Sequence, residues 1–374
     1  MTDSMPDPIT SFEDPNPLNA KYQNILRRSE ISWQADRTLE RCLGAGGQGR
    51  VYLSRRLGAE HFSLPIALKV FSPDGFSSSE AYHEETSRIA RVAAQVARVQ
   101  HDNVVDVLDF LEVDDIIVME MEFVDGYDLR CLLSPAIMQL VKEHVSNKNW
   151  EKLNQKVVTE GETQPRLKPA MAVAIVRECL HGLSSLHAMQ VVHNDLKPSN
   201  IMLKRSGNVK LIDTGSAFAI SDTPKKIACT PEFAAPEILA GSKATIQSDL
   251  ASLGYVLLEM LCGQRTFQEM SIKRMLDTKR DIFRLLPTLL PREEFAYFDM
   301  LLPFLRKMVA PDPDDRFASA QEADQSAEGA ASIEEELVKG DLSQIYQIEI
   351  RDWIREVVSE GVDVDSMSST RTLD

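Results

Sequence analysis

The 374-residue chain is predicted to be an α+β protein in two lobes, a small mostly-β one with one long helix and a larger mostly-α one. Three observations predict it. The first 125 residues run in short β-branched or alternating apolar segments broken by a single helical period. After Gly126 the apolar spacing becomes that of helices, and the length suits one large bilobal body as well as two or three ordinary domains. Hydrophobic residues at 43% and charged residues at 26% leave enough apolar material for a sizeable core, which excludes wholesale disorder.

Residues 1–20 hold Pro6, Pro8, Pro15 and Pro17 and four acids without a base, the composition of a disordered tail. Ordered structure is expected to begin between residues 20 and 38. The runs TLERCL, VYLSRRL and LPIALKVF, the first two separated by a glycine cluster, read as strands. A helix is predicted over about 79–99, where Ile89, Val92, Val96 and Val99 recur along one face. VVDVLDFLEV and IIVMEMEFV are two further strands and complete a first lobe at 38–125. The second lobe, 126–320, has its clearest helices in MAVAIVRECLHGLSSLHAM and SDLASLGYVLLEMLCG. Within it the stretch at about 134–168, rich in Lys, Asn, Glu and Gln, reads as a polar insertion. Residues 321–374 form an acidic extension, with a helix predicted over 344–358 that carries Tyr346, Ile350, Trp353, Ile354 and Val357 on one side, and a frayed end. There is no internal repeat.

The net charge is −16 and the pI about 5.0, which argues against a protein that coats nucleic acid or anionic membrane, since either task needs surplus Lys and Arg. Most of this charge sits on the flanks: four acids and no base in 1–20, fourteen acids against four bases in 321–374. Such flanks can keep a protein soluble or dock a basic surface, including a substrate cleft of the same chain. The first ten residues have neither a basic start nor an apolar run, and the apolar stretch at 255–261 is interrupted by Glu259 and too short to span a bilayer. The expectation is a soluble, cytoplasmic protein without a membrane anchor. Cys42, Cys131, Cys179, Cys229 and Cys262 are widely spaced with no CxxC pair, so neither a disulfide framework nor a zinc site is indicated.

The glycine cluster reads Gly44-Ala45-Gly46-Gly47-Gln48-Gly49-Arg50-Val51. Glycines let backbone fold over a polyphosphate and offer it N–H groups, but GxGxxG alone is equally a flexible hairpin or a dinucleotide-binding fingerprint. The dinucleotide reading, an oxidoreductase, needs a helix directly after the glycines; the strand pattern VYLSRR follows instead. That strand and Ala67-Leu68-Lys69 resemble the GxGxxGxV loop and AxK strand of protein kinases. Downstream, His193-Asn194-Asp195-Leu196-Lys197-Pro198-Ser199-Asn200 is similar to the family's HRDLKPxN, Asp213-Thr214-Gly215 to its DFG, and Ala235-Pro236-Glu237 to its APE. Ser248-Asp249-Leu250-Ala251-Ser252-Leu253-Gly254 is similar to its buried helix, and Arg316 lies in PDPDDRF. The chain thus resembles the eukaryotic-like (Hanks-type) bacterial serine/threonine kinases, with HND and DTG variants of two motifs.

The resemblance implies the bilobal protein kinase fold, ATP with Mg²⁺ (or Mn²⁺ in its place), and protein substrates with Ser or Thr acceptors, the last from the lysine of DLKPSN. It implies Lys69 as the cation on the α and β phosphates, Asp213 and Asn200 as metal ligands, Asp195 as the base that takes the hydroxyl proton, and Lys197 as a charge neutraliser. These types suit a reaction that must neutralise three phosphates and align a hydroxyl. Gly44, Gly46, Gly47 and Gly49 would cover the phosphates. Glu122 and Val124 would bond the base edge by backbone groups, with Met121 as gatekeeper, Val51, Ala67 and Met202 as apolar faces, and Asp128 on the ribose. The carboxylate partner of Lys69 is open between Glu84 and Glu85; Glu85 shares a helix face with Ile89 and is preferred. A helix about seven residues, or two turns, longer than usual in the family makes that choice ambiguous.

Asn194 replaces the family's Arg, which removes the charge that reads activation-loop phosphorylation, although Ser221 and Thr223 lie in that segment. Thr214 replaces a Phe and should thin the apolar column formed with His193, Ile89 and Val107. Cys229 stands where a glycine is usual and offers a redox role; Thr230 should sit beside Asp195 and Lys197. Glu237 and Arg316 should form a buried pair. The main alternative to an active enzyme is a weak or inactive pseudokinase acting as a nucleotide-dependent scaffold. The insertion and the acidic tails are candidate docking elements.

Overall fold

The computed structural model describes residues 37–74, 76–224, 227–290, 298–339 and 346–359. The tail expected at 1–20, the start of order before residue 37 and the frayed C-terminus lie outside them.

Alternating apolar residues make β1 (Arg37–Gly46), β2 (Gly49–Leu57) and β3 (Ser63–Phe71) pair as an antiparallel sheet. The β1–β2 turn contains the glycine cluster. Gly49 has φ of +133°, and a Cβ there would fall 2.0 Å from the Val70 carbonyl oxygen, so only glycine lets the turn close onto β3. Helix α1 (Ser79–Val96) starts at Ser78, whose hydroxyl accepts from the Ala81 N–H, and ends short of the expected residue 99. It buries Tyr82, Ile89, Val92, Ala93 and Val96 against β4 (Val107–Val113), which with β5 (Ile116–Glu122) completes the sheet in the order β1-β2-β3-β5-β4. The register sets Lys69 opposite Val51 and Met119, and Ala67 opposite Met121.

The second lobe begins with β6 (Gly126–Asp128), followed by α2 (Pro135–His144), α3 (Asn147–Lys156), β7 (Val158–Thr159), β8 (Arg166–Leu167) and α4 (Pro169–Ala188). Next come β9 (Val191–Val192), β10 (Ile201–Lys204), β11 (Val209–Leu211) and β12 (Phe218–Ala219). Strand β10 lies between β11 and β6, and β12 pairs with β9, so these short ladders hold the loops 193–200 and 212–217 against one another. Helices α5 (Pro236–Leu239), α6 (Ile246–Cys262), α7 (Ile272–Arg280), α8 (Ile282–Leu289), α9 (Phe298–Met308), α10 (Ala320–Gln325), α11 (Ala330–Lys339) and α12 (Tyr346–Ser359) follow. The expected two-lobed α+β architecture is the one the chain adopts. Helices α4 and α6 are apolar on nearly every face, as central core helices must be.

Two segments are more deeply built in than their composition suggests. In the stretch read as a polar insertion, Ile137 and Val141 of α2, Leu153 of α3, and the adjoining Val157 and Leu167 are buried in the main core. Sparse apolar residues at i, i+4 spacing among Lys and Asn suffice to seat a helix. Its apolar side is therefore spent on its own lobe, which leaves only the polar side for a partner. Similarly, α10 and α11 pack on α4, α12 touches α2, α3 and α4, and Ala323, Ala330, Ile333, Leu337, Ile350, Trp353 and Ile354 belong to the same core. The described part of the acidic extension is continuous with the second lobe: its apolar stripe is buried there, and Asp324 and Glu349 are buried with it, Asp324 between Arg177 and His181. The expected helix at 344–358 is α12; residues 344–345 lie outside the described set. No helix among the described residues is long and apolar enough to cross a membrane.

Candidate active site

A cleft of about 740 Å³ runs between the sheet and the helical lobe. Its walls hold Gly44, Gly46, Gly47, Gly49, Val51, Ala67, Lys69, Met121, Glu122, Val124, Asp128 and Met202. Asp195, Lys197, Asn200 and Asp213 line it too, so among the site residues expected from the sequence only Glu85 lies elsewhere.

The loop after β9 is shaped from below. Asp249 of α6 is fully buried and accepts from the His193 N–H at 2.8 Å, the Asn194 N–H at 2.7 Å and His187 Nε2 at 2.9 Å. One carboxylate thereby satisfies two backbone donors of a tight loop, and Asn194 adopts φ of +69°, which Asn tolerates. Asp195 then points into the cleft. Its Oδ1 accepts from Thr230 Oγ1 at 2.7 Å and the Thr230 N–H at 3.2 Å, while Oδ2 accepts from Asn200 Nδ2 at 3.1 Å and faces Lys197 Nζ at 2.8 Å. Lys197 also donates to Thr230 Oγ1 at 3.0 Å. The expected grouping of Thr230 with Asp195 and Lys197 is formed.

Lys69 projects from the middle of β3, 4% exposed, and its Nζ lies 2.5 Å from Asp213 Oδ1 and 2.8 Å from Gln48 Oε1. Asp213 has left-handed backbone (φ 60°, ψ 72°), a costly conformation that fixes a functional side chain. About a third of its side chain still meets solvent in the cleft. Desolvation pushes its carboxyl up, but the Lys69 charge and hydrogen bond, with the Gly215 N–H, outweigh this and hold it below the ordinary carboxylate range.

The Lys69–Glu85 pair expected from the sequence is not formed. Glu85 binds Arg88 one turn along α1, at 3.0 and 2.6 Å, and Glu84 is exposed. The buried stripe of α1 runs through Tyr82, Thr86, Ile89, Ala93 and Val96, so Glu85 lies on its rim, and what the helix turns toward the Asp213 segment is Arg88, which donates to the Ala217 carbonyl at 3.3 Å. Asp128, expected on the ribose, is engaged elsewhere, and the Glu122 side chain, for which no role was expected, also has a partner. The Asp128 carboxylate caps the Arg130 N–H and pairs with its guanidinium, and the Glu122 side chain pairs with Lys210. The Glu122 N–H is spent on the Asp106 carbonyl at 3.0 Å, so contact between this backbone and a base would use its carbonyl.

Two contributors escaped the sequence reading. Gln48, one residue among glycines, bridges Lys69 and Ser216, donating to Ser216 Oγ at 2.9 Å. Asn194, read only as a lost arginine, donates through its amide to the carbonyls of Ser216 (3.3 Å) and Ala228 (2.8 Å), tying both ends of the intervening segment without any phosphate. Only its small size and its amide donor, not its charge, could have signalled that role. Thr214 is buried with no partner for its hydroxyl, in keeping with a thinner column. Burial pushes the Cys229 thiol up and the Asp195 charge adds to it, the opposite of a redox-active thiolate. Glu237 and Arg316 form the expected bidentate pair, 2.7 Å at each contact.

A Cβ on Gly215 would lie 2.3 Å from Lys69 Nζ and 2.6 Å from Gln48 Oε1, the ends of flexible side chains rather than backbone. Gly215→Ala is expected to weaken nucleotide binding about ten-fold or more, one charge-assisted contact, with thermal unfolding little changed. Calorimetric titration with ATP beside a melting curve checks this; unaltered affinity would contradict the geometry.

A deep cleft with glycine-turn backbone above, a buried lysine and two separated aspartates defines the phosphotransfer sites of the protein kinase class. The family model described as protein kinase domain matches residues 37–327, and the chain belongs to that family. It is 29% identical over 231 residues to the serine/threonine-protein kinase PrkC of Bacillus subtilis, covering 61% of this chain and 30% of that protein. It is equally 29% identical over 307 residues to PknD of Mycobacterium tuberculosis, 80% of this chain and 40% of PknD. Against pkn3 of Myxococcus xanthus the figure is 29% over 243 residues, 62% and 38%. The chain spans less than half the length of these curated relatives.

Proposed function

We propose that the protein transfers the γ-phosphoryl group of ATP to Ser or Thr hydroxyls of other proteins, acting in the cytoplasm. The observation that carries this is the triangle of Asp195, Lys197 and Thr230 opening into the same cleft as Lys69 and Asp213. Asp195 would orient an incoming hydroxyl and accept its proton on Oδ2 or Oδ1. Lys197, already within 2.8 Å of Asp195, would neutralise charge on the transferred group. Lys69 would turn from Asp213 to the α and β phosphates.

The donor set suits a hard divalent cation, since Asp213 offers a carboxylate and Asn200 commits its amide nitrogen to Asp195, leaving its oxygen as the ligating end. Bound there, Mg²⁺ or Mn²⁺ would neutralise phosphate charge. Backbone of the glycine turn would cover the phosphates, and Val51, Ala67, Met121 and Met202 would enclose the base.

The test is incubation with Mg²⁺ and radiolabelled ATP, alone and with a generic Ser/Thr-bearing basic protein, for wild type and Lys69→Met. Label on serine or threonine, lost in Lys69→Met, is the expected result. Nucleotide binding without transfer in either protein would leave the scaffold reading in its place.

A further inference from the structure

We propose that Lys279 is a positioning residue for the acceptor, a buried cation that holds the backbone at residues 231–234 in the shape a Ser/Thr-bearing segment docks against; this rests on the kinase reading of the cleft. Lys279 sits in the last turn of α7 and is 0% exposed. Its Nζ donates to the carbonyls of Pro231 (3.0 Å), Glu232 (2.8 Å) and Ala234 (2.6 Å). The same ammonium lies 4.1 Å from the ring centre of Tyr255 and 4.7 Å from that of Phe267. Among the described residues no carboxylate forms an ion pair with it.

Burying an unpaired cation is costly, so its presence calls for a reason. Three carbonyls within four residues are turned to one point, and an ammonium is the side chain with three donors to meet them, its charge spread onto two aromatic faces. The span it holds starts at Thr230, which is bound to Asp195, and ends at Glu237, which is bound to Arg316. Its ends are therefore pinned by the site and by the core, and Lys279 fixes the middle. That middle follows directly on Thr230, whose hydroxyl donates to the Asp195 carboxylate; on the kinase reading Lys69 and Asp213 take the phosphates, which leaves the Thr230 side of Asp195 to the protein hydroxyl.

Burial pushes Lys279 down to about 7, partly offset by Glu232, Cys229 and Glu237. The titratable and charged groups facing it are Cys229 and Glu232 from the segment itself, Glu237 from α5 and Tyr255 from α6. A neutral amine has two N–H donors, so one of the three carbonyls loses its partner as pH rises through 7. Arginine cannot deprotonate in this range.

Steady-state transfer to a serine peptide, with wild type, Lys279→Met and Lys279→Arg from pH 6 to 8.5, tests this. Wild-type KM for the peptide should climb above pH 7 and that of Lys279→Arg should stay flat. Lys279→Met should raise it about ten-fold or more at pH 6.5, the loss of a charge-assisted hydrogen bond, with KM for ATP moving far less. Equal pH responses in wild type and Lys279→Arg, or KM for ATP rising as much as that for peptide, would overturn the inference while leaving the kinase reading intact. If Lys279→Met does not fold, the wild-type and arginine profiles decide. Absence of transfer by wild type at every pH would overturn the kinase reading itself, and the inference with it.

Discussion

Asp195→Ala is expected to slow phosphoryl transfer by about 10²–10⁴-fold, the usual loss when a positioned base is removed. The carboxylate is held from two sides, by Thr230 on Oδ1 and by Asn200 and Lys197 on Oδ2, so its orientation does not depend on a bound substrate. Removing it takes away the proton acceptor but leaves Lys69, Asp213 and the walls around the base in place. Nucleotide affinity, measured by calorimetry, should therefore change little while transfer of label collapses. Asparagine is a poorer control than it looks, because its amide would bring N–H₂ against the donors of Lys197 and Asn200 on Oδ2. Retention of full transfer in Asp195→Ala would remove this residue from the chemistry.

Arg316→Leu is expected to cost about 3–5 kcal/mol of stability, the range for a buried ion pair that loses one partner. Arg316 is buried, holds both Glu237 oxygens, and donates to the carbonyls of Ala310 (2.8 Å) and Gln247 (2.9 Å). Leucine would leave these acceptors unmet and an uncompensated carboxylate beneath the segment that leads to Asp195. Burial alone pushes the Glu237 carboxyl up, but the hydrogen bonds and charge of Arg316, with Ser248, bring it below the ordinary range. A carboxyl depressed in the folded state contributes stability that is present above the unfolded value of about 4.3 and lost as pH falls through the folded one. Urea unfolding of wild type and variant should therefore differ most at pH 6–7 and converge in acid. A constant difference down to pH 3 would assign the loss to packing rather than to the pair.

What was legible in the sequence was what spacing and residue type determine. The strands around the glycines depend on short-range patterns, and the structure forms them there; the cleft residues were expected from the resemblance to protein kinases carried by the ordered motifs, and all but Glu85 line the cleft. The Lys69 partner was not legible, because Glu85 and Ile89 do share a face; the outcome turned on Arg88 capturing Glu85 within the helix, a competition between neighbours that periodicity does not rank. Gln48 and Asn194 escaped for a related reason. Each acts through an uncharged amide across more than twenty residues of chain, and neither type stands out in a loop. The second lobe's extent was hidden by composition, since α2 and α12 each hide a few buried residues, and α3 hides Leu153, in charged surroundings.

Helix α12 closes over α2, α3 and α4, elements whose residues precede it by some 160 to 220 positions. During synthesis at about 5–20 residues per second, α2 and α3 leave the ribosome on the order of 10–40 s before the segment bearing Trp353 that covers them. The catalytic residues, all upstream of residue 231, are thus translated before their lobe can finish its core. Docking of α12 on α2 and α3 therefore comes after every catalytic residue has been made, and until it arrives the parts of α2 and α3 that it covers lack that partner.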